Sequence, residues 1–182
     1  MIAALAGRRI DGAGARPERF PSRLRDVIGI RIEDALRSAE VETLVCAAAC
    51  GVDLLALSAA ERLGIRMRVV LPFAAATFRQ TSVVDRGEEW GPLFDRLVAA
   101  AAARGDLHDL GLDAQTPHVY ERANAAILDD ARALAGDDVR HVVALTVWDG
   151  PLTGRVDHTA DFARGARERG IASLSIPILA GG

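Results

Sequence analysis

The side chains best equipped for chemistry in this chain lie in four short polar stretches, three of which directly follow a β-type apolar run. Gly7-Arg8-Arg9-Ile10-Asp11 follows Met1 to Ala6. A glycine at a strand end lets backbone approach a ligand, and two adjacent arginines can hold an anion; the alternative is a pair of solvated cations. Cys50 and Gly51 follow the run Thr43 to Ala48 and lead into a helix with Asp53 in its first turn. That carboxylate either complements the helix dipole or holds a ribose hydroxyl. Tyr120 and Asn124 stand one helical turn apart and share a face, with Arg122 on the flank of the same turn; the face looks either into a cleft or into solvent. Asp149, Gly150, Thr153 and Gly154 follow the run Val142 to Trp148, and a helix begins near Asp157 to Thr159. Loop glycines with the free N–H groups and dipole of a helix N-terminus favour a phosphate or carboxylate, although glycines in a βα loop also serve simply to turn the chain.

Composition narrows the class of ligand. The chain has 182 residues, half of them hydrophobic, enough for one domain with a substantial core. Its formal net charge of −3 disfavours nucleic acid as a partner. Cys46 and Cys50 are the only cysteines and lack a metal-site spacing, so they read as reduced, small apolar residues of a cytoplasmic protein. Ile2 to Ala6 is too short for a signal peptide, and no apolar run reaches the roughly 18 residues of a membrane span.

The elements that must position these residues follow from periodicity. Leu24, Ile28, Ile32, Ala35 and Ala39 recur at helical spacing over Ser22 to Ala39, and Val52, Leu55, Ala56, Ala59, Ala60 and Leu63 do so before Gly64. Arg68 to Leu71 is a third strand, stopped by Pro72. A short helix near Ala75 to Arg79, a polar link over Gln80 to Gly87 and a helix from Glu88 to Arg104 follow, the link serving as a wall or lid over a site. Asp106 to Leu110 is a short strand, Pro117 to Ala135 a helix, Val139 to Val147 a strand, Thr159 to Arg169 a helix and Ala172 to Ile176 the last strand. Strands alternating with helices give an α/β fold, a Rossmann-like doubly wound and mainly parallel sheet of about six strands with helices on both faces. Right-handed crossovers favour the order 3-2-1-4-5-6, which brings the four polar stretches to one rim.

Several segments resemble a known family. V-C-A-A-A-C-G-V-D-L-L-A-L-S-A-A-E-R-L-G-I-R-M-R-V-V-L-P-F-A-A-A-T-F-R-Q-T-S-V, residues Val45 to Val83, looks like the second βαβ unit of bacterial nucleotide-binding proteins of the SLOG superfamily, which includes the Lonely guy phosphoribohydrolases. Leu5 to Asp11 joins the resemblance, Y-E-R-A-N at Tyr120 to Asn124 is similar to the M-H-E-R-K segment of those enzymes, and W-D-G-P-L-T-G-R-V-D-H-T-A-D corresponds to their P-G-G-x-G-T-x-x-E loop. The resemblance implies a phosphate site over Gly150 to Thr159, with Arg122 at the position of the catalytic arginine and Thr159 at that of the threonine. Three residues after Thr159, where the enzymes carry a catalytic glutamate, this chain has Phe162, and His158 replaces the glycine before the threonine. Asp161 is one position early, about 100° around the helix.

The leading expectation is therefore a domain that binds a nucleotide or nucleotide-derived ligand as a sensor or regulatory protein, requiring no other cofactor. A phosphoribohydrolase using Arg122 with Asp161 or Asp149 is the second reading, and a purely structural assembly domain the third. The resemblance also implies a homodimer.

Overall fold

Six strands form one sheet in the computed structural model, which describes residues 1–151 and 156–179. They are β1 (Ile2–Gly7), β2 (Thr43–Cys46), β3 (Arg66–Leu71), β4 (Leu107–Asp109), β5 (Val142–Val147) and β6 (Ala172–Ile176). All pair in parallel, in the order β4-β3-β2-β1-β5-β6. The helices are α1 (Arg25–Ser38), α2 (Val52–Leu63), α3 (Ala75–Ser82), α4 (Gly91–Ala103), α5 (Val119–Leu134) and α6 (His158–Glu168).

The central strands read as continuous apolar runs because helices cover both their faces. Alternate residues divide between the two cores. Leu5, Leu44, Val69 and Leu145 join Ile28, Ile32 and Leu36 of α1, most of α2, and Phe94 and Leu97 of α4. Ala4, Ala6, Val45 and Ala144 face Ile127, Leu128 and Ala131 of α5 and Phe162 and Ala166 of α6. The alanines on the second side leave room for α5 to pass across the middle of the sheet.

The strand order departs from the expected 3-2-1-4-5-6: β4 lies at the outer edge beside β3, and β1 neighbours β5. Phe94, Leu97 and Ala101 place α4 in the same core as α1 and α2. A right-handed crossover on that face continues outward from β3 instead of returning past β1. The reversal falls to α5, so β1 and β5 flank the switch point. They pair along their full length, from Ile2 opposite Val142 to Gly7 opposite Val147, and the loops after them start side by side.

A second departure is the start of β5. Asp138 accepts a hydrogen bond from the backbone N–H of Arg140, and Val139–His141 forms a single 3-10 turn, so the strand begins at Val142. Among the described residues no helix is long and apolar enough to cross a membrane.

Candidate functional site

A cavity of about 900 Å³ opens at the carboxyl end of β1, among residues that follow β2 and β3 and those that lead into α6, the side of an open parallel sheet on which ligands bind. Its floor is apolar, with Leu5, Ala6, Ala47, Phe78, Ala123 and Ile127, and its mouth is rich in arginine, with Arg9, Arg16, Arg19 and Arg86.

Glycines set the geometry on the β1 side through close packing of the chain on itself. A Cβ on Gly7 would stand 2.4 Å from Cγ1 of Val52, so the bare Cα lets the first turn of α2 pack on the strand end. Gly51 has φ +105° and would carry a Cβ 2.5 Å from the Ile10 nitrogen, a conformation and clearance that only glycine meets. It thereby bridges to Arg9, and Val52 donates its N–H to the Arg8 carbonyl at 3.2 Å. Gly7→Ala is expected to cost about 1–3 kcal/mol by overpacking. Urea titration of Gly7→Ala with and without Val52→Ala checks this, and a cost undiminished by the second change would refute the contact as its source.

On the β5 side a carboxylate of the chain itself meets the N-terminus of α6. Asp157 caps α6, its Oδ1 accepting from the N–H groups of Thr159 at 3.1 Å and Ala160 at 3.2 Å. Arg8 grips both oxygens of that carboxylate, at 2.7 and 2.9 Å, and donates to the Gly150 carbonyl at 2.7 Å. The Arg8 and Asp157 side chains are 12% and 4% exposed, so the place predicted for a ligand anion holds a carboxylate of the chain itself. Arg9 is likewise engaged, pairing with Asp85 and donating to the Cys50 sulfur at 3.4 Å.

Deeper in the cavity, Asp53 is buried with Oδ2 accepting the Ala49 N–H at 3.1 Å. Burial pushes its carboxyl up to about 7, against the opposing pull of that N–H and of Arg9. The Tyr120 hydroxyl lies 3.3 Å from Ser82 Oγ, and its ring packs edge-on to Phe73 and 5.1 Å from His158. Asn124 donates Nδ2 to the His158 carbonyl at 2.7 Å and so fixes α5 against α6.

Of the residues singled out in the sequence, Gly7, Arg8, Arg9, Asp11, Asp53, Tyr120, Asn124 and Thr159 border this cavity. The others do not. Cys50 is buried behind the rim, where desolvation raises its thiol, and Gly51 is taken up in the bridge. Arg122 is exposed away from the cavity, as its position 200° around the helix from Tyr120 requires. Asp149 accepts the N–H groups of Ile178 and Leu179, both at 2.9 Å, and so anchors the segment after β6. Gly150 contributes its carbonyl to Arg8. Asp161 pairs with Arg164 and accepts from Asn124 at 3.3 Å, outside the cavity. Thr153 and Gly154 lie outside the described residues.

Sequence reasoning missed Arg16, Arg19, Arg86, Ser82 and His158 as lining residues. The signal for the first two was the density of arginine in the loop after β1, which also describes a solvated loop. No protein-family model matches the chain, and no curated protein matches it.

Proposed function

We propose that the chain binds a nucleotide or nucleotide-derived ligand in the cavity at the carboxyl end of β1, as a sensor or regulatory protein. The observation that carries this reading is the cavity itself. Its volume of about 900 Å³ suits a cofactor-sized ligand, and its apolar floor, aromatic Tyr120 and arginine-bearing mouth match a base at one end and phosphate at the other. The resemblance to SLOG proteins supports the same ligand class. Binding without turnover is favoured by Phe162, which is 0% exposed in the core where the related enzymes carry a carboxylate, and by the outward placement of Arg122.

Calorimetry and thermal shift against nucleoside mono- and diphosphates, cyclic nucleotides, ADP-ribose and NAD are expected to find a ligand. Tyr120→Leu should weaken it by about tenfold through loss of ring contact. Failure of every compound to bind would end this reading in favour of a structural domain.

A hydrolytic reading keeps one observation, the buried carboxyl of Asp53 at the cavity wall with an affinity for protons near neutrality, a property shared with general acids and bases. Release of base and ribose 5-phosphate from a nucleoside monophosphate, abolished in Asp53→Asn, would establish it over binding alone.

A further inference from the structure

We propose that the anionic end of the ligand, its phosphate group or groups, is held at the cavity mouth by Arg16 and Arg19 of the β1–α1 loop with Arg86 beside them. This inference rests on the reading of the cavity as a nucleotide site and places the phosphates away from the N-terminus of α6.

That terminus is already satisfied by the chain. The N–H groups of Thr159 and Ala160 point at Asp157, and the Arg8 guanidinium grips the same carboxylate. A phosphate arriving there would face a like charge. Arg9 is committed to Asp85. Arg16 and Arg19 have no ion pair or side-chain hydrogen bond among the described residues, and Arg86 donates Nη1 only to a neutral acceptor, the Ile10 carbonyl, at 2.6 Å. Five arginines and three aspartates line the cavity. Removing Arg8 with Asp157, and Arg9 with its partner Asp85 at the edge, leaves Arg16, Arg19 and Arg86 against Asp11 and Asp53. A positive mouth on a chain of formal net charge −3 is a local concentration of charge that draws anions.

These three cations, without an ionic partner among the described residues, border one cavity, and contacts of the chain tie their segments together. Asp11 accepts the backbone N–H groups of Arg19 at 2.8 Å and Phe20 at 3.0 Å and donates its own to the Phe20 carbonyl at 2.9 Å. Phe20 is fully buried, so the loop carrying Arg16 and Arg19 is closed at its base and anchored. Arg86 reaches from the connector after α3 to Ile10, the neighbour of Asp11 in the chain. Each guanidinium fork matches one pair of phosphate oxygens. Three such forks supply enough donors for a phosphate or a diphosphate group.

The test compares adenosine with ADP and guanosine with GDP by calorimetry in dilute salt, and inorganic pyrophosphate separately. Wild-type protein should bind one diphosphate at least about tenfold more tightly than its nucleoside, since charge-assisted hydrogen bonds are made only with the former. Arg16→Gln/Arg19→Gln should remove that advantage and the binding of pyrophosphate, while leaving the nucleoside within about twofold and the melting temperature unchanged; Arg86→Gln should lower diphosphate binding in the same direction. Diphosphate affinity unaltered in the double variant would overturn the inference while leaving the nucleotide reading in place. Pyrophosphate bound by wild type and lost in the double variant, with no nucleoside or nucleotide bound, would keep the anion subsite and refute the nucleotide. Binding of none of these compounds would overturn both.

Discussion

Arg8→Met is expected to lower the free energy of unfolding by about 3–5 kcal/mol, the usual cost of removing one member of a buried ion pair. The substitution keeps an unbranched side chain of similar length along the cavity wall. It strips the nearly buried Asp157 carboxylate of the guanidinium that holds both its oxygens, frees the Gly150 carbonyl and removes a cation 5.6 Å from the Trp148 ring. Most of this loss is attributable to the charge left behind, which gives the prediction a second arm. Asp157→Asn keeps an N-cap side chain of comparable quality without the charge, so Arg8→Met/Asp157→Asn should recover more than half of what Arg8→Met loses. Equilibrium denaturation in urea measures both. A loss below about 1 kcal/mol, typical of an exposed pair, or a double variant no more stable than Arg8→Met, would show that the pair does not lock the two loops together.

That pair also marks where the sequence stops being readable. Arg8 and Asp157 each carry a local signal, an arginine after a strand and an aspartate before a helix. Only the tertiary pairing of β1 with β5 reveals that the two satisfy each other in place of a ligand. Asp149 misleads for the same reason. Its position beside Gly150 is that of a site residue, yet its carboxylate is spent on the N–H groups of Ile178 and Leu179. Arg122 is different, because helical geometry alone puts it on the far side of α5 from Tyr120 and Asn124; there the family correspondence outweighed the helix.

The elements were legible wherever burial imposes a period. Of the periodic positions read in α1, Ile28 and Ile32 are buried, with Leu36 beside them, and Phe162, Ala163 and Ala166 form one buried face of α6. The strand order was not legible, because it depends on which face of the sheet α4 covers. The alanine run that ends α4 is apolar all round and does not say. The start of β5 was also hidden, since Val139 extends the apolar run while the Asp138 side chain, acting through the Arg140 N–H, closes a turn there. Arg16 and Arg19 escaped because a loop of glycine, proline and arginine looks the same whether its cations face water or a cavity. The contacts of Asp11 with the backbone of Arg19 and Phe20, which close the base of that loop, carry no local signal.

Asp53→Asn is expected to stabilise the protein at pH 8, by an amount that fades as the solution becomes acid. The Asp53 carboxyl stands at about 7 in the folded chain against an ordinary 3.8, chiefly because burial disfavours its charged form. A folded-state value above the unfolded one means that the native protein binds the proton more tightly. The contribution is therefore fully present below the ordinary carboxylate value and is lost as pH rises from about 4 through 7. A shift of about three pH units corresponds to roughly 4 kcal/mol lost by pH 8 relative to acid. Asparagine carries no charge to bury, and its side-chain oxygen can still accept the Ala49 N–H. The variant should accordingly be more stable than wild type by about 2–4 kcal/mol at pH 8 and nearly equal to it near pH 4, as read from denaturation midpoints across that range. An advantage that stays constant with pH, or grows in acid, would sink the assignment. The same titration extends to the cavity, where Asp53 forms part of the wall. A ligand that donates a hydroxyl hydrogen to the Asp53 carboxylate gains affinity as Asp53 ionises, so its dissociation constant should fall between pH 6 and about 8 in wild type. In Asp53→Asn that dependence should vanish, and its persistence there would assign the titration to another group.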